Sequence, residues 1–151
     1  MTARISPPNT ISLNVRNRHE LERPLEAGQD ILPGMLIQYT TGALTVRPHS
    51  TAAGAARPIM VAVEMPIRAG SDINDPYNVD GEVVAFHVAL PGDQLYMLLE
   101  TGANVGDGDI LESNGSGELQ ALTGSAPLFR ALENCNNSAN YQSQRIRVEV
   151  L

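Results

Sequence analysis

Two stretches of this chain repeat one spacing of glycines and aliphatic residues, and few folds accommodate such a repetition. Gly28, Ile31, Gly34 and Leu36 recur as Gly102, Val105, Gly108 and Ile110. Each copy continues into a Gly-x-Leu step, Gly42-Ala43-Leu44 and Gly117-Glu118-Leu119, then ends in Pro-x-x-x-Ala-aliphatic-Glu, from Pro58 to Glu64 and from Pro127 to Glu133. Matched elements in one order predict two related β-units, each a turn, a hairpin and a returning strand, packed face to face over one core. The glycines allow positive φ at tight turns, and the aliphatic residue between them is placed to plug the end of a barrel.

The rest of the pattern agrees with an all-β chain. Short apolar or alternating runs at 35–39, 43–47, 59–64, 82–90, 94–100, 109–112, 118–122, 128–133 and 145–150 are bounded by glycine, proline and aspartate, which predicts a compact β-sandwich or barrel-like domain. In the last run Ile146, Val148 and Val150 are expected inside, with Arg145, Arg147 and Glu149 in water. Residues 83–90 are apolar on both faces, which predicts a central strand. Asp80-Gly81 precedes it, and Pro91-Gly92-Asp93 is expected to join it to 94–100 as a hairpin. Upstream, Ile11, Leu13 and Val15 alternate with polar residues before the chain turns charged and meets Pro24, so residues 1–26 read as an extended N-terminal arm and 27–151 as the β-domain.

Charge and composition narrow the chemistry. The first 25 residues sum to +2 and the remainder to −9. No lysine or arginine lies between Arg68 and Arg130, a stretch rich in Asp and Glu. Nucleic-acid affinity depends on neutralising phosphates, so nucleic acid is not an expected partner of the body. No run approaches the roughly 20 apolar residues of a membrane helix, and no signal-peptide core opens the sequence, so an aqueous, reducing compartment and no membrane partner are expected. The lone Cys135 reads as an inert thiol.

Candidate catalytic and metal-binding groups do not converge in the sequence. His19, His49 and His87 lack metal-ligand spacing. His87 lies in an apolar run and reads as a hydrogen-bonded core or interface imidazole, whereas His19 and His49 lie in polar segments expected to be exposed. The oxygen-rich stretch 72–82 has Pro76 and Tyr77 where a calcium loop needs a donor and a glycine, and so reads as a solvent-exposed loop. Asp107 and Asp109 flank Gly108 and read as turn residues. With no lysine, nucleophile elbow or dinucleotide fingerprint, the expectation is a protein that is not an enzyme and uses no cofactor or metal.

The order of these motifs resembles the small cement, or decoration, proteins of bacteriophage heads. The likeness is carried by Ala27-Gly28 through Leu36, Thr41-Gly42-Ala43-Leu44, the Pro-x-x-x-Ala-Val-Glu run, Pro91-Gly92-Asp93, the Gly108-Asp109-Ile110-Leu111 unit and the closing residues 145–151. It implies a structural virion protein, made in the bacterial host cytoplasm, that binds the outer capsid surface as a homotrimer and stabilises the shell by bridging major capsid proteins. In this reading the arm makes the contact. Ile11, Leu13 and Val15 would form one face of a strand added to the capsid protein, while Arg4, Arg16 and Arg18 would pair with its carboxylates. Deleting residues 2–23 is then expected to abolish decoration and leave the body folded. The rival classes are a β-barrel module of a phage tail or baseplate and a small hydrolase on a β-scaffold that uses Asp107 and Asp109.

Overall fold

Glycine at each tight turn and β-branched or aliphatic residues between them leave the backbone little alternative to short, strongly curved strands. The computed structural model describes residues 7–15, 25–65, 72–79, 81–139 and 143–151, and among them there is no helix. The strands are β1 (Ser12–Asn14), β2 (Glu26–Ala27), β3 (Leu36–Tyr39), β4 (Thr45–Pro48), β5 (Met60–Ala62), β6 (Phe86–Val88), β7 (Gln94–Leu99), β8 (Asn104–Val105), β9 (Ile110–Ser113), β10 (Leu119–Ala121), β11 (Phe129–Ala131), β12 (Cys135–Asn136) and β13 (Gln144–Val150).

They form two curled sheets. One runs β2-β4-β3-β5-β6, and a bridge between Glu26 and Val83 draws its two ends together. The other runs β7-β10-β9-β11-β13, and β13 pairs back along β7 from Gln144↔Leu99 to Glu149↔Gln94, which closes a five-stranded barrel. Closure removes the open edges on which another chain could template. β1 is added to β7, and a small β8–β12 ribbon completes the structure.

The two sheets are copies of one another. The hairpin pairs Ile37↔Pro48, Gln38↔Arg47 and Tyr39↔Val46 correspond to Leu111↔Ala121, Glu112↔Gln120 and Ser113↔Leu119. Ile37↔Met60 corresponds to Leu111↔Phe129, and Met60↔Val88 to Phe129↔Val150. Each sheet has its one parallel pairing in the same place, β2 with β4 and β7 with β10. The repeated glycine turn matches bond for bond. Gly34 N donates to Ala62 O at 2.8 Å and Gly108 N to Ala131 O at 2.9 Å, while Ala62 N donates to Met35 O and Ala131 N to Asp109 O. Both glycines have φ near +90° (93° and 91°), and the intervening plugs Ile31 and Val105 are buried as expected.

Two apolar cores replace the single shared one expected. The first sheet encloses Ile31, Ile37, Val46, Met60, Ala62, Val84 and Phe86. The barrel encloses Leu95, Met97, Leu99, Leu111, Phe129, Ile146 and Val148, and Leu36 and Val61 from the back of the first sheet join that cluster. Successive strand residues face opposite ways, so Leu36 and Val61 cover the barrel while Ile37 and Met60 fill their own sheet. β3 and β5 therefore need apolar residues on both faces.

Two expectations about the middle of the chain are corrected. Both faces are covered over 84–89, with Val84 and Phe86 in one core and Ala89 in the other, but Val83 and Leu90 are exposed, and β6 ends its sheet and is not central. Pro91-Gly92-Asp93 does turn, with Gly92 at φ +91° and Asp93 N donating to Leu90 O, but it carries the chain from one sheet to the other and makes no hairpin. The partner of β7 along its length is β13.

Candidate functional site

The arm residues singled out by sequence fall on the body of their own chain. β1 pairs antiparallel with β7 through Ser12↔Leu95 and Asn14↔Gln94, and Tyr96 N donates to Ile11 O at 2.8 Å. Ile11 is fully buried in the barrel-side core, Val15 packs against it, and Leu13 is half-buried. Ile11 is thus a core residue and its side chain is not offered to a partner. Alternation does bury one face, but the surface that face meets belongs to this chain. The 2–23 deletion would therefore remove Ile11 from the core, so the body is not expected to survive it unchanged. Arg4, Arg16, Arg18 and His19 lie outside the described residues.

Glu64 anchors this strand from the other sheet. Its Oε2 accepts Ile11 N at 3.1 Å, and its Oε1 accepts the Thr10 hydroxyl. Glu64 closes the repeated Pro-x-x-x-Ala-aliphatic-Glu motif. Its twin Glu133 accepts Arg147 N at 2.9 Å and pairs with Arg147 Nη1 at 3.4 Å. Both glutamates therefore end a returning strand by holding a neighbouring backbone N–H, a role whose only signal in the sequence was the repetition. Arg145, expected in water, instead reaches the first sheet. Its Nη2 donates to Pro33 O at 3.0 Å and to Ile73 O, and its Nη1 to Asn74 Oδ1 at 3.0 Å. Burial pulls this guanidinium below its usual range.

The buried polar groups are held by bonds inside the chain. His87 Nε2 lies 2.9 Å from Asp93 Oδ2, which also accepts Leu90 N, so this imidazole is the hydrogen-bonded core group expected. His49 is buried, contrary to expectation. Its ring nitrogens meet Ser113 Oγ at 2.7 Å and Ala55 O at 3.2 Å because the β9–β10 hairpin and the loop after β4 fold over it. Glu112 is fully buried. Burial raises the pKa of a carboxyl, but Gln120, the hydroxyl and N–H of Thr123 and the N–H of Gly124 all donate to it, and they hold it below the usual carboxylate range. Burial and the nearby Glu133 push the Cys135 thiol up, which disfavours its reactive thiolate.

The acidic candidates lie in turns, where Asp107 is held through its backbone N–H and the others accept backbone N–H groups. Asp109 Oδ2 accepts Gly106 N at 2.8 Å, and Asn134 Oδ1 accepts Asp107 N at 2.8 Å. In the 72–82 loop Asp72 Oδ1 accepts Asn74 N, Asp75 Oδ2 accepts Asp72 N and Glu82 Oε2 accepts Asn78 N. Tyr77 departs from the exposed loop around it, being buried with its hydroxyl donating to Val63 O at 2.6 Å. Among the described residues no three His, Cys, Asp or Glu side chains lie together as metal ligands would. A cavity of about 110 Å³ beside His49, Gln38 and Arg57 is small against the roughly 300–1,000 Å³ of ligand sites. What the structure does leave outward is a set of apolar side chains, with Leu44 the most exposed at 63% and Tyr39, Val79 and Leu122 beside lesser ones. Compared with known proteins, the chain matches no family model and no curated relative.

Proposed function

We propose that this protein is a structural component of a phage virion, which binds the outside of the capsid as a trimer and stiffens the shell by bridging major capsid proteins. The observation that carries the reading is the placement of the motifs behind the resemblance: the Gly34 and Gly108 turns, the hairpins and the returning strands occupy equivalent positions in two stacked β-units. Such a body suits mechanical work. Its buried histidines and acids are consumed by internal bonds, the barrel is closed, and Arg145 and Glu64 tie the two sheets together. A shell-binding protein needs a stiff scaffold and a complementary exterior of about 800 Å² per partner.

The test is co-sedimentation of the purified chain with mature and immature heads of the cognate phage. The expected outcome is saturable binding to mature shells and little to immature ones. Binding to tails or baseplates in place of heads would move the protein to the rival structural class. Substituting Arg16 and Arg18 by Glu then tests the charged part of the arm without touching Ile11; unchanged occupancy would remove these arginines from the contact.

A further inference from the structure

The two units build one polar corner on a shared bond and complete it differently. Across the β9–β10 ladder Glu112 faces Gln120, and across β3–β4 the equivalent places are held by Gln38 and Arg47. One backbone N–H reaches the corner in the same way in both. Thr123 N donates to Glu112 Oε1 at 2.9 Å, and Ser50 N donates to Gln38 Oε1 at 3.1 Å. Gly124 and Thr51, one residue on, are equivalent in turn.

The second unit closes its corner with its own carboxylate. Glu112 also accepts Gln120 Nε2 at 2.9 Å, the Thr123 hydroxyl at 2.7 Å and Gly124 N at 3.1 Å. Ala53 lies over it, so close that a Cβ at Gly124 would stand 2.8 Å from Ala53 Cβ. Glu112 is fully buried there.

The first unit has the donors and lacks the carboxylate. A neutral amide stands in the place of Glu112, with its oxygen bonded to Ser50 N. Arg47, in the place of Gln120, makes no hydrogen bond or ion pair among the described residues, and its Nε is buried without a partner. A buried donor left without an acceptor is destabilising, and a carboxylate is the acceptor that matches a guanidinium. Arg130, Arg145 and Arg147 each have their partner. This corner is also uncovered, with Gln38 and Arg47 half-buried and residues 50–52 exposed. Beside Gln38 the cavity of about 110 Å³ is lined by Arg57, which is exposed and likewise unpaired among the described residues.

We propose that the first unit takes its carboxylate from outside the chain, as an aspartate or glutamate side chain of the protein it docks on, held by the Arg47 guanidinium, Gln38 Nε2 and the Thr51 N–H. Rotation of the half-buried Arg47 side chain presents Nε–H to the incoming group. A protein fits this place better than a free anion, because Tyr39 and Leu44 of the same hairpin are 47% and 63% exposed and give a docking partner apolar surface to cover. Two unpaired guanidiniums on an otherwise acidic body complement an acidic partner. That this partner is a major capsid protein rests on the virion reading; the carboxylate site does not.

The test is an NMR titration of the ¹⁵N-labelled full chain with sodium acetate, against sodium chloride at equal ionic strength. Saturable shifts of Arg47 Nε–H and of the Ser50 and Thr51 amides are expected with acetate alone. Arg47→Gln, which installs the residue of the second corner, and Gln38→Glu, which supplies the carboxylate internally, are each expected to abolish them. Q38E should also raise the melting midpoint by about 2–4 °C, since Arg47 gains its acceptor. No acetate-specific shift, or the same shift in R47Q, would overturn the site, and a midpoint that falls in Q38E would show that Arg47 lacks no acceptor. Circular dichroism verifies each fold. Co-sedimentation then identifies the source: R47Q and Q38E are each expected to bind heads about tenfold more weakly than wild type. Undiminished head binding by both would overturn a capsid carboxylate as the occupant. A wild type that takes acetate here and binds no head would refute the virion reading and leave the site standing.

Discussion

The first and second β-units share a ladder yet differ where each meets its surroundings. Val61 and Arg130 are equivalent, as are Leu36 and Ile110, Pro33 and Asp107, Met35 and Asp109, and His49 and Leu122. On the first unit these positions face the barrel and are apolar or internally bonded. On the second they face outward and include two carboxylates and a guanidinium. The residues turned into each sheet keep their character, with Ile37, Met60 and Ala62 answering to Leu111, Phe129 and Ala131. A duplicated fold thus fixes its inner face by its own curvature, while the outer face is set by what covers it.

The comparison breaks hardest at the inner face. Phe129→Ala is expected to cost about 3–5 kcal/mol and its twin Met60→Ala about 2–5, because both leave cavities in closed cores; urea denaturation checks both. A result near zero for either would mean that its core is not packed as described. One positive-φ glycine from each hairpin sharpens the outer comparison. Gly117→Ala combines left-handed strain with a 2.9 Å contact on Pro48 Cβ and is expected to cost about 2–4 kcal/mol, whereas Gly42→Ala carries the strain alone, about 1–2. Equal effects would place the two hairpins in the same environment.

A smaller effect belongs to Glu112. Its folded pKa lies below the ordinary value, so the unfolded chain binds more protons and the carboxylate stabilises the fold at pH above that ordinary value of 4.5. That contribution is lost as pH falls through the folded pKa. Glu112→Gln should lower the melting midpoint at neutral pH and flatten its decline below pH 4.5; a decline as steep as wild type would assign the acid sensitivity elsewhere. The smallest effect is expected at Arg130, whose pairing with Glu149 at 3.7 Å is partly exposed: Arg130→Ala should change stability by less than about 1 kcal/mol. Val61→Ala at the twin position should cost more, since it opens space between the two sheets.

Much of this fold was legible in the sequence. Glycine spacing and short apolar runs located the strands and the duplication, because turn geometry is a local property. The two-residue strands Glu26–Ala27, Asn104–Val105 and Cys135–Asn136 are too short to show a period. Edge and centre were confused at 83–90 because an apolar run reports that both faces are covered and not that both edges are paired. The same limit applies to the candidate site. Alternation at Ile11, Leu13 and Val15 marked a buried face, but nothing local says which surface it meets, and burial of His49 depends on a hairpin more than 60 residues downstream.

The unequal exposure of the two hairpins is the claim on which the comparison depends, and amide hydrogen exchange read by NMR on the dilute protein tests it directly. The Gly117 amide, bonded to His49 O, should exchange slowly while that of Gly42 exchanges near the rate of an open loop. Matching protection at the two glycines in the monomer would contradict it.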